Sequence, residues 1–327
     1  MAQTSGDRPI LVTGAAGFIG SHVTSALLAR GQRVVGLDNF DPFYDRRFKE
    51  RNLTEAGARA KTGSAFEFVE GDICDQEKLG ALMARSRPQG VIHLAAKAGV
   101  RPSLKDPVGY ARTNVLGTAA ILEEARRAGC DRVVMASSSS VYGNSPTVPF
   151  SEAQDVNNPI SPYAATKKAC ELIGFTHWHL TKMPTACLRF FTVFGPRQRP
   201  DLAIAMFLRK ISQGETISLF GEGTSRDYTF VDDIVAGVLA SYDRIDQHGY
   251  RVWNLGGSHP TSLEEMVATI ARVVGRQPVI ELGPMQPGDV QRTWADLTRA
   301  AAELGFKPTT SFETGVRKQW DWMKASA

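Results

Sequence analysis

Cysteine is scarce in this chain. Four stand in 327 residues, at Cys74, Cys130, Cys170 and Cys187, and no two share a CxxC spacing. That excludes a disulfide scaffold and a Cys-based zinc cluster, and it reads as free thiols in a reducing compartment. No HExxH motif and no Cys/His cluster occurs, so no metal is assigned. His177 and His179 stand two apart on an expected helix and point to different sides. His93 ends an expected buried strand and reads as packed. No apolar run approaches the roughly 18 residues of a membrane-spanning helix. The stretch Met1–Pro9 is polar and lacks the apolar core of a signal peptide, so the cytoplasm is the expected location. The net charge of +4 comes without the clustered Lys/Arg stripe of a nucleic-acid reader. Internal repeats, low-complexity tracts and flexible linkers are also missing.

What remains is an ordinary globular composition, 43% hydrophobic and 22% charged, in a chain long enough for a sizeable core. Strand and helix signals alternate through the first half. Strands are expected at Pro9–Thr13, Arg33–Leu37, Phe66–Val69, Val91–Leu94, Arg132–Ala136 and Thr185–Phe190. Helices are expected at Phe18–Arg30, Asp106–Ala128 and Tyr163–Leu180. That alternation predicts an α/β fold, a doubly wound parallel sheet with helices on both faces. After Gly195-Pro196 the pattern loosens. A helix at Leu202–Ser212, a strand at Ile217–Phe220 and a helix at Phe230–Tyr242 are expected, then short strands and helices. Residues 1–195 form the expected large domain, with 225–250 returning to it. Residues 196–224 and 251–327 form an expected smaller lobe over the sheet's carboxyl edge.

The run Thr13-Gly14-Ala15-Ala16-Gly17-Phe18-Ile19-Gly20 sits where the first strand turns into the first helix. Glycines there allow a tight turn and let a pyrophosphate approach the backbone, and the helix N-terminus supplies N–H donors. Asp38 follows the second strand, 18 residues after Gly20, where a carboxylate can take both hydroxyls of a ribose. It would repel a 2′-phosphate, and Asn39 rather than Arg follows it. The combination predicts NAD rather than NADP.

Ser161-Pro162 reads as a helix start, with Ser as N-cap and Pro in the first turn. Tyr163 and Lys167 then lie at i and i+4 on one face. A phenol ordinarily holds its proton until near pH 10. A neighbouring ammonium favours the phenolate, which makes such a pair a candidate general base. Upstream, the fifth strand runs into Ser137-Ser138-Ser139-Ser140-Val141-Tyr142-Gly143, placing hydroxyls at the carboxyl edge where doubly wound sheets bind ligands.

These residues carry a resemblance. Thr13–Gly20, Leu94-Ala95-Ala96, Ser137–Gly143 and Tyr163–Lys167 resemble the extended short-chain dehydrogenase/reductase superfamily, in its nucleotide-sugar epimerase branch. The resemblance covers nearly the whole chain. The strings at 96–107 (AKAGVRPSLKDP), 188–203 (LRFFTVFGPRQRPDLA), 225–234 (SRDYTFVDDI) and 285–290 (MQPGDV) are similar to UDP-glucuronate 4-epimerases in particular. The resemblance implies a homodimer that uses NAD to interconvert UDP-glucuronate and UDP-galacturonate through a 4-keto sugar. It implies that Tyr163 takes the O4 proton, that Lys167 tunes Tyr163 and holds the nicotinamide ribose, and that Ser138 bridges to O4. Asp72 and Ile73 would contact adenine. Leu94, Ala95, Ala96 and Asn114 would complete the cofactor site. Ser139, Ser140 and Thr192 would surround the C5 substituent of the sugar. Arg199 and Arg226 would meet the diphosphate, and Asp289 the UDP-sugar.

The chain also departs from the family pattern. Related 4,6-dehydratases carry an Asp-Glu pair, and UDP-glucuronate decarboxylases a Glu, in the window that Ser139 and Ser140 occupy here. Lys97 stands where an uncharged residue such as Gln is expected, and Gln198 where a small residue is usual. The alternatives left open are a 4-epimerase of UDP-glucose or UDP-N-acetylglucosamine, a decarboxylase, and a non-catalytic dinucleotide-binding scaffold.

Overall fold

The run Ile10-Leu11-Val12-Thr13 is buried along its whole length, as an inner parallel strand covered on both faces must be. The computed structural model describes residues 8–61, 64–284 and 288–326. In it β1 (Ile10–Thr13), β2 (Arg33–Asp38), β3 (Ala65–Glu70), β4 (Gly90–His93), β5 (Arg132–Ser138) and β6 (Thr185–Phe190) all run parallel. Two short strands, β7 (Thr192–Phe194) and β8 (Thr216–Phe220), lie outside this sheet, as does β9 (Ser225–Phe230). A later strand, β10 (Tyr250–Leu255), joins it beside β6, giving the order β10-β6-β5-β4-β1-β2-β3. The switch in strand order falls at β1, flanked by β4 and β2, so the loops after those three strands open on one crevice.

The lobe boundary expected at 251 is therefore corrected. The apolar run Val252–Leu255 gains more as a seventh buried strand than in a small lobe, and Trp253 and Leu255 are fully buried there. The lobe itself holds two small sheets. In one, β9 pairs with β7 and with β11 (Pro260–Ser262); in the other, β8 pairs with β12 (Val279–Gly283).

The expected helices are present with ends shifted by a few residues. They are α1 (Phe18–Ala29), α7 (Pro162–Thr181), α8 (Ala203–Gln213) and α9 (Val231–Arg244). Ser161 caps α7, its Oγ accepting from Ala164 N at 3.2 Å, with Pro162 behind it. Helices α2 (Arg46–Gly57) and α3 (Gln76–Ser86) were not expected. The first buries only Lys49, Asn52 and Ala56 and has no apolar stripe to read; the second buries Leu79, Leu82 and Met83. The segment expected as one helix at Asp106–Ala128 is broken up. It follows α4 (Val100–Lys105) and comprises α5 (Pro107–Tyr110), a π-helical stretch at Ala111–Leu116, and α6 (Gly117–Arg127). In the lobe, α10 (Leu263–Val274) and α12 (Phe312–Ala325) pack together, while α11 (Thr298–Leu304) packs on α9 and β10. Gln198 is explained by this packing. Its amide donates to Val193 O at 3.1 Å and accepts from Gln319 of α12 at 2.7 Å, fastening the last helix to the sheet edge.

Candidate active site

The glycine turn leaves room for nothing but backbone. Gly14 has φ +71°, and a Cβ there would stand 2.8 Å from Ala95 N; a Cβ on Gly20 would stand 1.9 Å from Gly14 O. Helix α1 then opens on Gly17 with no side-chain cap, so its first N–H groups remain for an anion. Asp38 is buried beside this turn. Its Oδ2 accepts from Ala16 N at 3.2 Å and its Oδ1 from Phe40 N at 2.9 Å. Burial pushes its carboxyl above the usual range, and Lys49 at 3.9 Å pulls it back. Asn39 donates to Asp72 Oδ2 at 3.2 Å, and Asp72 Oδ1 accepts from Cys74 N, so the two expected adenosine contacts are joined; Ile73 is buried next to Gly117. These residues fit a dinucleotide with a free 2′-hydroxyl.

On the other side of the turn, β4 runs into Leu94-Ala95-Ala96. Thr13 Oγ1 accepts from Ala95 N at 3.2 Å and bonds His93 Nδ1 at 2.7 Å. Burial pulls His93 down to about 3, so it is neutral, and its Nε2 bonds Thr118. The reading of His93 as a packed residue agrees with this. Asn114 lies in the π-helical stretch. Its amide is spent inside the protein, on both the N–H and the carbonyl of Lys97 (2.8 and 3.0 Å) and on Thr166 Oγ1 (3.0 Å). The Asn114 side chain thus ties the loop after β4 to α7.

Tyr163 is half-buried on α7, and its ring meets the buried Tyr110 edge-on with centroids 6.2 Å apart. Burial pushes Tyr110 up to about 12, so its hydroxyl stays neutral and donates to Ala98 O at 3.0 Å. Lys167, one turn on, is buried, and its Nζ donates to Ala136 O at 2.8 Å, fixing the ammonium at the end of β5. Ser138 Oγ accepts from Ser140 N and donates to Ser140 Oγ, both at 3.1 Å, so it caps the turn Ser139–Tyr142. Ser139, Ser140 and Thr192 are half-buried.

Behind these groups lies a network the sequence did not reveal. Glu171 of α7 and Arg189 of β6, both almost fully buried, form a two-point ion pair at 2.8 and 2.8 Å. Ser137 donates to Glu171 at 2.7 Å, and Arg189 reaches Tyr142, which donates to Asn254. A Glu eight residues after Tyr163 on the same helix was the only available signal, and no carboxylate–guanidinium partnership across 18 residues can be read from spacing.

The lobe contributes charges. Arg226 donates to Ser225 O and Gln291 O. Asp289 is held by Arg101 of α4 at 2.6 Å, and that guanidinium lies over Phe220. Arg199 is held by Asp201, reaches Ala98 O at 3.5 Å and lies 4.8 Å over the Phe43 ring. Of the string at 285–290, Met285, Gln286 and Pro287 lie outside the described residues. Lys97 pairs with Asp106 at 2.9 Å.

Comparison with protein families matches residues 11–319 to the GDP-mannose 4,6 dehydratase family. The chain belongs to this family. Membership places it in the short-chain dehydrogenase/reductase superfamily, as the glycine turn and the Tyr163–Lys167 pair implied. Among relatives within it, a protein of Rhizobium meliloti named a probable UDP-glucuronate 4-epimerase is 39% identical, with 95% of this chain and 96% of that one aligned. The UDP-glucuronate 4-epimerase of Thermodesulfobacterium geofontis is 40% identical over 96% and 95%. The solved structure of a Bacillus cereus UDP-glucuronic acid 4-epimerase with UDP-glucuronic acid and NAD superposes with a TM-score of 0.89, at 34% identity, covering 98% of this chain and 100% of that one. The parallel sheet and the family's cofactor-binding core are thus common to this chain and these relatives.

Proposed function

We propose that the protein is a UDP-glucuronate 4-epimerase, an isomerase that interconverts UDP-glucuronate and UDP-galacturonate with NAD as resident cofactor. The observation that carries this is Lys167, one helical turn from Tyr163, anchored on Ala136 O where β5 runs into Ser138, Ser139 and Ser140, in a chain about 40% identical to UDP-glucuronate 4-epimerases along its length. Bound NAD would supply the hydride acceptor and donor for C4 of the sugar. Tyr163 takes the O4 proton and gives it back, with Ser138 bridging to O4. Lys167, anchored on Ala136 O, sets a positive field beside the phenol and holds the nicotinamide ribose. Gly14, Gly17, Phe18, Ile19 and Gly20 receive the pyrophosphate, and Asp38 with Asn39 the adenosine ribose.

Inversion requires the 4-keto sugar to present its other face, so the firm contacts fall on UDP, from Arg226 and the Arg101–Asp289 corner. A 4-keto uronate is a β-keto acid and loses CO₂ when its carboxylate stands perpendicular to the ketone. Neutral hydroxyls of Ser139, Ser140 and Thr192 hold that carboxylate without an acid to protonate the carbanion that decarboxylation would leave. The test is incubation with UDP-glucuronate, UDP-glucose and UDP-N-acetylglucosamine without added NAD, with products read by NMR. UDP-galacturonate with at most traces of pentose is the expected result; faster turnover of UDP-glucose than of UDP-glucuronate overturns the assignment.

We also propose a homodimer through α5–α6 and α7 and their symmetry mates. Val108, Leu116 and Leu172 lie exposed on these helices at 79%, 45% and 55%, and Ala165 allows close approach. A monomer in light scattering at micromolar concentration would refute it. The four cysteines are free thiols, which suits a reducing compartment, and we place the protein in the cytoplasm on that ground.

A further inference from the structure

Beneath the glycine turn runs a row of polar side chains that no step of the epimerase reading uses. Thr13 at the end of β1, His93 at the end of β4, Thr118 of α6 and Cys170 of α7 are all buried. Each touches the next. Ala95 N lies 3.2 Å from Thr13 Oγ1, which lies 2.7 Å from His93 Nδ1. His93 Nε2 lies 3.1 Å from Thr118 Oγ1, and that oxygen lies 3.4 Å from Cys170 Sγ. Cys170 Sγ lies 3.1 Å from Asn114 O.

The number of protons sets the direction of every bond. The Asn114 carbonyl can only accept, so the Cys170 thiol gives it its single proton. The sulfur is then an acceptor, and the Thr118 hydroxyl donates to it. Thr118 Oγ1 therefore accepts from His93, which puts the imidazole proton on Nε2. Nδ1 is left bare and takes the Thr13 hydroxyl proton, and the Thr13 oxygen is free to accept from Ala95 N. The other tautomer would set two N–H groups against the Thr13 oxygen and leave its own proton without an acceptor among the described residues, a costly arrangement in a buried site. The row thus joins two working parts. Ala95 N stands only 2.8 Å from where a Cβ on Gly14 would be, so Thr13 holds the loop after β4 hard against the glycine turn. Cys170 stands one turn beyond Lys167 on α7.

We propose that His93 is a positioning residue for the cofactor: as the neutral Nε2–H tautomer it passes a directed chain of hydrogen bonds from the catalytic helix to the glycine turn, and so fixes Leu94-Ala95-Ala96 as one wall of the dinucleotide site. A neutral imidazole suits the place, since it accepts at one nitrogen and donates at the other on a rigid ring. The role presupposes resident NAD. Its readouts involve no sugar, so it holds or fails apart from the substrate assignment.

The test breaks the chain at Thr118, which lies on α6 away from the residues assigned to ligands. Thr118→Val keeps the shape and removes the hydroxyl; Thr118→Ser restores the hydroxyl. NAD release from the purified holoenzyme is followed with a NAD-consuming trap, below the Tm of every variant. Thr118→Val should release NAD about two- to tenfold faster than wild type, the range one neutral hydrogen bond can supply, and Thr118→Ser should stay within about twofold of wild type. In ¹⁵N NMR of histidine-labelled wild type, the His93 signal, assigned by its loss in His93→Gln, should be that of the neutral Nε2–H tautomer at pH 7. Unchanged release in Thr118→Val, even with a lowered Tm, would overturn the proposal. So would equal acceleration in Thr118→Val and Thr118→Ser, which would mark lost packing instead of a lost bond. An Nδ1–H or doubly protonated His93 in wild type would overturn it whether or not the variants fold.

Discussion

The two banks of the crevice are held in opposite ways. On the cofactor bank, polar side chains are already bonded to protein: Asp38 to two backbone N–H groups, Asn114 to Lys97 and Thr166, Lys167 to Ala136 O. On the sugar bank, Arg226 rests on two carbonyls, Arg101 and Asp289 hold each other in partial exposure, and Ser139, Ser140 and Thr192 are half-buried. The first arrangement is preorganised, so a ligand that fits it binds with little reorganisation and stays. The second presents partly exposed groups whose internal partners a ligand can replace. One bank suits a resident cofactor, the other a substrate that must arrive, turn and leave.

Tyr163→Phe tests the contrast most severely. It should lower turnover by about 10²–10⁴-fold, the usual range for a general base, while NAD content and UDP-sugar affinity stay near wild type. Loss of NAD along with activity would mean that the phenol belongs to the fixed bank. Glu171→Gln should cost about 3–5 kcal/mol of unfolding free energy in urea titration, since it leaves the Arg189 guanidinium buried without its countercharge. A loss under about 1 kcal/mol would show that the cofactor bank does not depend on this pair.

The smallest effect is a pH dependence on the sugar bank. Asp227, adjacent to Arg226, is fully buried and accepts from Gly257 N, Ser258 N and Ala295 N. Burial pushes its carboxyl up to about 6 from 3.8. The folded state therefore binds the proton more tightly than the unfolded chain, and the stability this lends is present below about pH 4 and lost as pH rises through about 6. The margin of wild type over Asp227→Asn should narrow across that window by up to about 3 kcal/mol, at about 1.4 per pKa unit. A margin constant from pH 4 to 6 would remove Asp227 as the titrating joint between the lobe and the sheet.

Patterns with a short period were legible from sequence. The glycine turn, Asp38 at a strand end and the i, i+4 pair on α7 all depend on local geometry, and each lies where the spacing puts it. Helix α2 was hidden because it buries a lysine and an asparagine instead of an apolar stripe. The strand β10 was misassigned to the lobe because membership of a sheet is decided by a partner, β6, that lies 65 residues earlier in register (Tyr250 against Thr185). Asp289 pairs with Arg101, 188 residues earlier, and a partnership of that kind is set by tertiary approach and leaves no mark on spacing.

The π-helical stretch at Ala111–Leu116 acts as a phase adjuster for the chain on either side of it. A π turn carries one residue more than an α turn. Removing a single residue there would give an uninterrupted α-helix from Pro107 to Arg127, more regular locally, but would rotate one half against the other by about 100°. Asn114 could then no longer hold the Lys97 backbone, nor Tyr110 the Ala98 carbonyl, while Ile121 and Leu122 keep their places in the core. The extra residue is a gear tooth. Lineages that lost it would keep the helix and lose the alignment between the β4 loop and the catalytic helix, so an indel at this one turn separates binding competence from foldability.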